Sequence, residues 1–199
     1  FNINNIVILA GYKKEKIIEH YESSSNRVSK TEDIFEDNLN TKITVLDTGL
    51  ETMTGGRLKM GAEYLNEENF YLTYGDGIAN IQLDKLTQFF IEQKTIATVT
   101  AVRPPARFGS LEIDNNLVTN FGEKDNTSSG WINGGFFVFK REILNYLTDL
   151  EEVLERKPLE LLATEKELSA FKHEGFWQPC DTIREREILE KAMESGLVN

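Results

Sequence analysis

At 199 residues, 40% hydrophobic and 28% charged, the chain is long enough to bury a proper core and has an ordinary globular composition. A formal charge of −11 excludes a sequence-independent nucleic-acid binder, which needs a basic face, and no apolar run approaches the ~20 residues needed to cross a bilayer. The single cysteine, Cys180, rules out an internal disulfide and fits a reducing cytoplasm; His20 and His173 are too few for a zinc site.

The first predicted element is a fully apolar strand, Asn5 to Ala10 (NIVILA), of the kind buried in parallel sheets. Gly11 ends it, and Lys13 to Tyr21 follows as a short amphipathic helix with Ile17, Ile18 and Tyr21 inward. Residues 22–41 are polar, with Val28, Ile34, Phe35 and Leu39 as scattered anchors. They are expected to form a long variable excursion and a candidate contact between subunits. Lys42 to Leu46 is the next strand, leading into Asp47-Thr48-Gly49, and Glu51 to Arg57 opens a helix running to about Leu65.

Asn69 to Thr73 begins a strand that stops at Gly75-Asp76-Gly77, where two glycines bring the backbone close to a neighbour while a carboxylate hangs from the strand end. Asp84 is expected to cap a helix from Lys85 to Lys94 with Leu83, Leu86, Phe89 and Phe90 as its apolar stripe. Thr95 to Val102 is a buried strand halted by Pro104-Pro105. Strands alternating with helices at this spacing imply βαβ units and a mainly parallel sheet.

The middle changes character. Phe108 to Ile113 and Leu117 to Phe121 flank Asp114-Asn115-Asn116, a hairpin signal, and Trp131 to Lys140 is a strand with a double glycine near its start. Helices are expected at Arg141 to Leu147 and between Glu152 and Leu168. A last strand runs from Ala170 to Trp177 and ends at Gln178-Pro179-Cys180-Asp181. A closing helix, Thr182 to Ser195, is expected to bury Ile183, Ile188, Leu189 and Met193. No repeats or low-complexity linkers interrupt the chain, which reads as one α/β domain, 1–199, with an antiparallel insertion.

Two aspartates share one context. Asp76 follows a strand through glycine; Asp181 follows another through Pro179 and precedes a helix. By local pattern alone the first is a turn residue and the second an N-cap. Ligands of open α/β sheets sit beyond the carboxyl ends of strands, however, and two carboxylates there suit Mg²⁺, which takes one or two of them together with substrate phosphates. No P-loop, nucleophile elbow or catalytic triad is present.

ETMTGGRLK (51–59), TYGDG (73–77), ATVTAVRPPARFG (97–109), F-x-EK (121–124), WINGGFF (131–137) and GFWQPCDT (175–182) occur in one order. Together they resemble the sugar-1-phosphate nucleotidyltransferase family, and within it the glucose-1-phosphate cytidylyltransferases, from about residue 2 to 199. The resemblance implies a Rossmann-like nucleotidyltransferase fold: a mainly parallel mixed sheet flanked by helices, with a small antiparallel insertion. It implies cytidylyl transfer from CTP to α-D-glucose 1-phosphate, giving CDP-glucose for deoxysugar, O-antigen or other cell-surface polysaccharide synthesis. It also implies a cytoplasmic homo-oligomer with no nucleic-acid or membrane partner.

By the same resemblance Asp76 and Asp181 would hold Mg²⁺, and Thr52, Arg57 and Gly75 would contact the nucleotide. Glu123 would meet sugar hydroxyls, Lys124 the sugar phosphate, and Asn133 and Gly134 would line the hexose site. With Asp76 and Asp181, Lys124 completes the catalytic set. One departure stands out: the family's opening strand and glycine-rich G-G-x-G-T-R-type loop have no counterpart, since Gly11 in LAGYKKEK stands alone. The chain is therefore expected to be an N-terminally truncated form lacking part of the triphosphate grip. Two alternatives stay open, a uridylyl- or thymidylyltransferase of the same fold and an inactive nucleotide-sugar-binding homologue.

Overall fold

The computed structural model describes residues 3–29, 31–104, 109–114, 117–123 and 130–198, with the backbone alone for 109–114 and 118–123. In chain order the elements are β1 (Asn5–Ala10), α1 (Lys14–Ser24), β2 (Asn26–Arg27), β3 (Ile34–Glu36), β4 (Lys42–Asp47) and α2 (Thr54–Gly61). Next come a 3₁₀ turn (Ala62–Tyr64), β5 (Asn69–Thr73), β6 (Gly77–Ala79), α3 (Leu83–Gln93), β7 (Ala97–Val102), β8 (Gly109–Asp114), β9 (Leu117–Glu123) and β10 (Ile132–Lys140). A 3₁₀ helix (Arg141–Tyr146), α4 (Lys157–Thr164), β11 (Leu168–Lys172), β12 (Trp177–Pro179) and α5 (Ile183–Glu194) complete the chain.

The chain divides into two compact units. The first holds Phe1–Phe70 and Lys140–Glu167, the second Tyr71–Phe139 and Leu168–Asn199.

In the first unit a four-stranded sheet has the order β1-β4-β3-β2. β1 and β4 run parallel, in register from Asn5↔Lys42 to Ala10↔Asp47, so both strands deliver their carboxyl ends to the same edge. The stretch expected to be an excursion is a hairpin: β2 pairs antiparallel with β3, and β3 with β4. Phe35 explains why. It is fully buried with Ala10, Ile43 and Val45, and Ile17, Ile18 and Tyr21 of α1 pack onto that cluster. Burying one such side chain contributes about 1.5–3 kcal/mol, enough to pin a polar segment that carries few other anchors.

In the second unit the sheet order is β11-β7-β10-β5, with β11 parallel and β10 antiparallel to β7. Leu86 and Phe90 of α3 are buried against Val138, flanked by Tyr71, Ile81, Leu83 and Phe171. β8 and β9 pair antiparallel, as expected, from Gly109↔Glu123 to Asp114↔Leu117. A separate two-stranded ribbon pairs β6 with β12.

Five expectations are corrected. β1 is not buried on both faces: it stands at the end of its sheet, with Ile6 exposed and only Ala10 buried, because among the described residues it pairs with β4 alone. Asp84 is not a cap: α3 starts at Leu83, two residues before the expected Lys85, so Asp84 lies in the first turn, where its charge still suits the helix N-terminus. The strand expected over Ala170 to Trp177 is two strands. Between them His173 Nε2 lies 3.1 Å from the Phe176 carbonyl oxygen, and Gly175 leaves no room for a Cβ beside Asn80 and His173. The helix expected over Arg141 to Leu147 is 3₁₀, Arg141–Tyr146, rather than α-helical. In α5, Leu189 is buried as expected, but Ile183, Ile188 and Met193 are exposed, and Glu185 and Ala192 take the inner positions.

Candidate active site

The β6–β12 ribbon is where the two aspartates converge. Its register runs Ala79↔Trp177, Ile78↔Gln178 and Gly77↔Pro179, and the Cys180 N–H donates to the Asp76 carbonyl at 2.7 Å. Asp76 thus faces Cys180, and Asp181 is the next residue along. Both carboxylates reach the same end of one ribbon although 105 positions separate them in sequence.

Asp181 is not the cap of α5. Thr182 is: its hydroxyl accepts from the Glu185 N–H, and Glu185 Oε2 accepts from the Asp181 and Thr182 N–H groups at 3.0 Å each. That capping box satisfies the helix start and releases the Asp181 carboxylate from any structural duty. Asp76 and Asp181 are both exposed, and among the described residues no side chain bonds either carboxylate. No group of three or more His, Cys, Asp and Glu side chains placed to hold a metal occurs among the described residues. Two free carboxylates fit a cation completed by substrate oxygens rather than a cage built wholly of protein.

The double glycine of β10 meets this end. Tyr74, just before Gly75-Asp76, donates its N–H to the Gly135 carbonyl at 3.0 Å, and Asn133 Nδ2 donates to the Tyr74 hydroxyl at 3.2 Å. Asn133 Oδ1 accepts from the Gly135 N–H at 2.8 Å, and Trp177 Nε1 donates to the Gly134 carbonyl at 2.8 Å. A Cβ on Gly134 would lie 2.8 Å from Val102 Cγ1, and one on Gly135 (φ +78°) would lie 2.7 Å from the Tyr74 ring. These glycines let two aromatic residues lock a bulge in β10 beside the ribbon. A Cβ on Gly77 would lie 3.9 Å from the Gly134 carbonyl oxygen, an ordinary contact. A side chain at Gly75, in contrast, would meet nothing within 4 Å, so that face is open.

In the first unit, Arg57 of α2 holds together the loops after β1 and β4. Its Nη1 donates to the Thr48 hydroxyl and, at 3.3 Å, to the Ala10 carbonyl, and its Nη2 donates to the Leu50 carbonyl at 3.4 Å. Thr48 itself is buried and donates both its N–H and its hydroxyl to the Ala10 carbonyl at 2.8 Å. Thr52 is half-buried beside Gly49. The Gly55-Gly56 pair of MTGGR serves packing: both amides donate to the Glu152 carbonyl, and a Cβ on Gly56 would lie 2.6 Å from Leu150 Cα. Asp47 pairs with Lys14 and accepts the Gly49 N–H at 3.0 Å. The Lys14 hydrogen bond, aided by that amide, holds the Asp47 carboxyl below the usual carboxylate range.

The structure therefore gathers Gly75, Asp76, Asp181, Asn133 and Gly134 in one unit and places Thr52 and Arg57 in the other. Glu123 closes β9 opposite Gly109, and Lys124 lies outside the described residues. Sequence reasoning missed Tyr74, Gly135 and Trp177 as positioning residues. The available signal was Tyr74 directly before Gly75-Asp76-Gly77; Gly135 and Trp177 carried none that marks a partner.

The family model described as Nucleotidyl transferase matches residues 1–178. The glucose-1-phosphate cytidylyltransferase of Salmonella typhi is 38% identical over 204 aligned positions, covering 98% of this chain and 79% of that protein. The probable glucose-1-phosphate cytidylyltransferase of Bacillus subtilis is 36% identical, covering 98% and 80%. Among solved structures, HddC from Yersinia pseudotuberculosis aligns with a TM-score of 0.67 at 20% identity over 98% of this chain and 79% of its own. A UDP-glucose pyrophosphorylase complexed with UDP-glucose aligns at 0.66 and 14% identity over 97% and 81%. At such identities the two structures share the Rossmann-like nucleotidyltransferase fold with this chain. No helix among the described residues is long and apolar enough to cross a membrane.

Proposed function

This chain belongs to the nucleotidyl transferase family, and we propose that it transfers a cytidylyl group from CTP to α-D-glucose 1-phosphate, giving CDP-glucose and pyrophosphate. The choice of nucleotide and sugar rests on identity with the Salmonella typhi cytidylyltransferase along nearly the whole chain. The observation that carries the chemistry is the β6–β12 ribbon, which brings to one end two carboxylates with no side-chain partner among the described residues.

In the reaction a phosphate oxygen of glucose 1-phosphate attacks the α-phosphorus of CTP. The new P–O bond forms as the bond to the β-phosphate bridging oxygen breaks, and pyrophosphate leaves. Such transfers ask the protein mainly to position two polyanions and offset their charge. Asp76 and Asp181 are the residues that would hold Mg²⁺, which when bound neutralises phosphate charge and templates the two substrates.

The other residues act directly. Glu123 accepts from sugar hydroxyls, and Lys124 offers the sugar phosphate a mobile point charge. Asn133 and Gly134 border the hexose; their support is the rigid bulge locked by Tyr74 and Trp177. Gly75 gives the nucleotide an open face. Arg57 commits three of its five N–H donors to Thr48, Ala10 and Leu50, leaving two for the nucleotide beside Thr52.

Offering CTP, UTP and dTTP separately with glucose 1-phosphate and Mg²⁺, and scoring pyrophosphate release, tests the proposal. CTP turnover should far exceed the other two. Equal or greater turnover with UTP or dTTP, or none with any nucleotide, overturns it.

A further inference from the structure

At the carboxyl ends of the parallel strands β1 and β4 lies a cavity of about 390 Å³, bordered by Gly11, Tyr12, Lys14, Asp47, Gly49 and Leu50. That volume falls within the range of small-molecule sites, and the position is where open α/β sheets receive nucleotides. Its floor adjoins the residues given to the nucleotide above: Gly11 lies against the Arg57 guanidinium, and Gly49 against the Thr52 hydroxyl. The loop residues Gly11 and Gly49 let the two loops close on Arg57 and Thr52 beneath the cavity. A Cβ on Gly11 would lie 2.7 Å from Arg57 Nη1, and Gly49 has φ +85°. Tyr12 stands 76% exposed at the rim, with Lys13 Nζ 5.2 Å from its ring centroid.

We propose that this cavity takes the pyrimidine base of the nucleotide and that the Asp47–Lys14 pair is the specificity determinant that selects cytosine over uracil.

The pair presents an acceptor beside a donor. Asp47 uses one oxygen for Lys14 and the other for the Gly49 N–H, so each oxygen keeps a lone pair for another donor. Lys14 has three N–H groups, and Asp47 takes one. Cytosine offers the complementary edge: its N4 amine donates, as it does to carboxylates elsewhere, and N3 beside it accepts. Uracil inverts both positions. Its O4 would face the Asp47 carboxylate, and its N3–H would face the Lys14 ammonium, so two attractions become two repulsions.

The pair is intact at neutral pH, because its mutual hydrogen bond lowers the Asp47 pKa and raises that of Lys14. It is also accessible, with side chains 54% and 37% exposed, so a base can reach it without unfolding either loop.

This inference rests on the nucleotide-transferase reading, so its test reads the base without turnover. Equilibrium binding of CTP and of UTP, each with Mg²⁺, is measured for the wild-type protein, Asp47→Asn, Lys14→Met and the exchanged pair Lys14→Asp/Asp47→Lys. The wild type should favour CTP by about 10- to 100-fold. Asp47→Asn and Lys14→Met should bring that ratio to within a few-fold of one, and the exchanged pair, which keeps an ion pair of reversed sense, should favour UTP. If Asp47→Asn and Lys14→Met keep the wild-type ratio, or if the wild type binds both nucleotides equally, the inference is wrong. Wild-type selectivity that both single variants abolish, in a protein that releases no pyrophosphate, would leave the base site standing and remove the proposed reaction. Far-ultraviolet circular dichroism on each variant separates loss of selectivity from loss of fold.

Discussion

Each unit ends neighbouring strands beside a glycine and an aspartate, and the two then treat their polar groups in opposite ways. After β1 and β4, Arg57 ties the Thr48 hydroxyl to the Ala10 and Leu50 carbonyls, and Asp47 is engaged by Lys14 and the Gly49 N–H. At the β6–β12 ribbon the carboxylates of Asp76 and Asp181 have no side-chain partner among the described residues, and the capping that Asp181 could have performed is done by Thr182 and Glu185. A polar group used internally supports the fold, and its loss is felt as stability. A charge left unpaired at a strand end gives the fold nothing, so its loss is felt only by what binds there.

The largest expected effect tests the second half of that contrast. Asp76→Ala and Asp181→Ala, each alone, should lower pyrophosphate release by about 10³-fold or more. Their circular dichroism spectra and melting temperatures should match the wild type, because neither carboxylate bonds a side chain among the described residues. A variant that turned over normally would end the metal assignment, and one that melted early would show that the carboxylate serves the fold after all.

Next in size is Gly56→Ala, which probes the tied region at its most crowded point. The added Cβ would sit 2.6 Å from Leu150 Cα and 2.7 Å from its carbonyl carbon, backbone atoms that cannot swing aside. Forced overpacking of this kind costs about 1–3 kcal/mol, seen as a lower melting temperature, while turnover per folded molecule stays near wild type. An unshifted melting curve would mean that 150–152 yields readily, and the tied region would then be less rigid than its hydrogen bonds imply.

That same glycine marks where the sequence stops being informative. The apolar strands β1, β4 and β7 were legible because each is a run with no competing period, and Asp76 and Asp181 were legible because glycine or proline isolates a carboxylate at a strand end. The reason for Gly55-Gly56 was hidden. The backbone that crowds them lies almost a hundred residues away, so a packing glycine and a loop glycine look alike in one dimension. Asp181 and Thr182 were confused for a related reason, since both can cap a helix and only the reach of Glu185 decides between them. The division of 170–177 into two strands was hidden too, because β12 takes its partner from β6 rather than from the sheet that β11 joins. In α5 the apolar residues alone suggested a partly wrong inner face: Leu189 is inward as expected, but the capping Glu185 and Ala192 join it there in place of Ile183, Ile188 and Met193.

The smallest effect concerns the one aspartate of the tied region that is itself exposed. Hydrogen bonds from Lys14 and then from the Gly49 N–H hold the Asp47 carboxyl below the usual carboxylate range. A carboxylate shifted down on folding stabilises the native state fully above the unfolded pKa and loses that contribution as pH falls through the lower folded value. The same hydrogen bond raises Lys14 above 10.5, so its share is present below that value and is lost as pH rises through the raised one. Between these limits the pair's contribution is flat. Asp47→Asn should therefore melt slightly below the wild type by a constant gap from about pH 5 to pH 9. The gap should close on the acid side, once the wild-type carboxyl is protonated as well, and begin to close on the alkaline side only beyond the ordinary lysine range. Because both side chains are well exposed, 0.5 M salt should shrink the gap at every pH, whereas the packing defect of Gly56→Ala should be indifferent to salt. A gap that survived both acid and salt would mean that Asp47 supports the fold through its bond to the Gly49 N–H, with the ion pair contributing little.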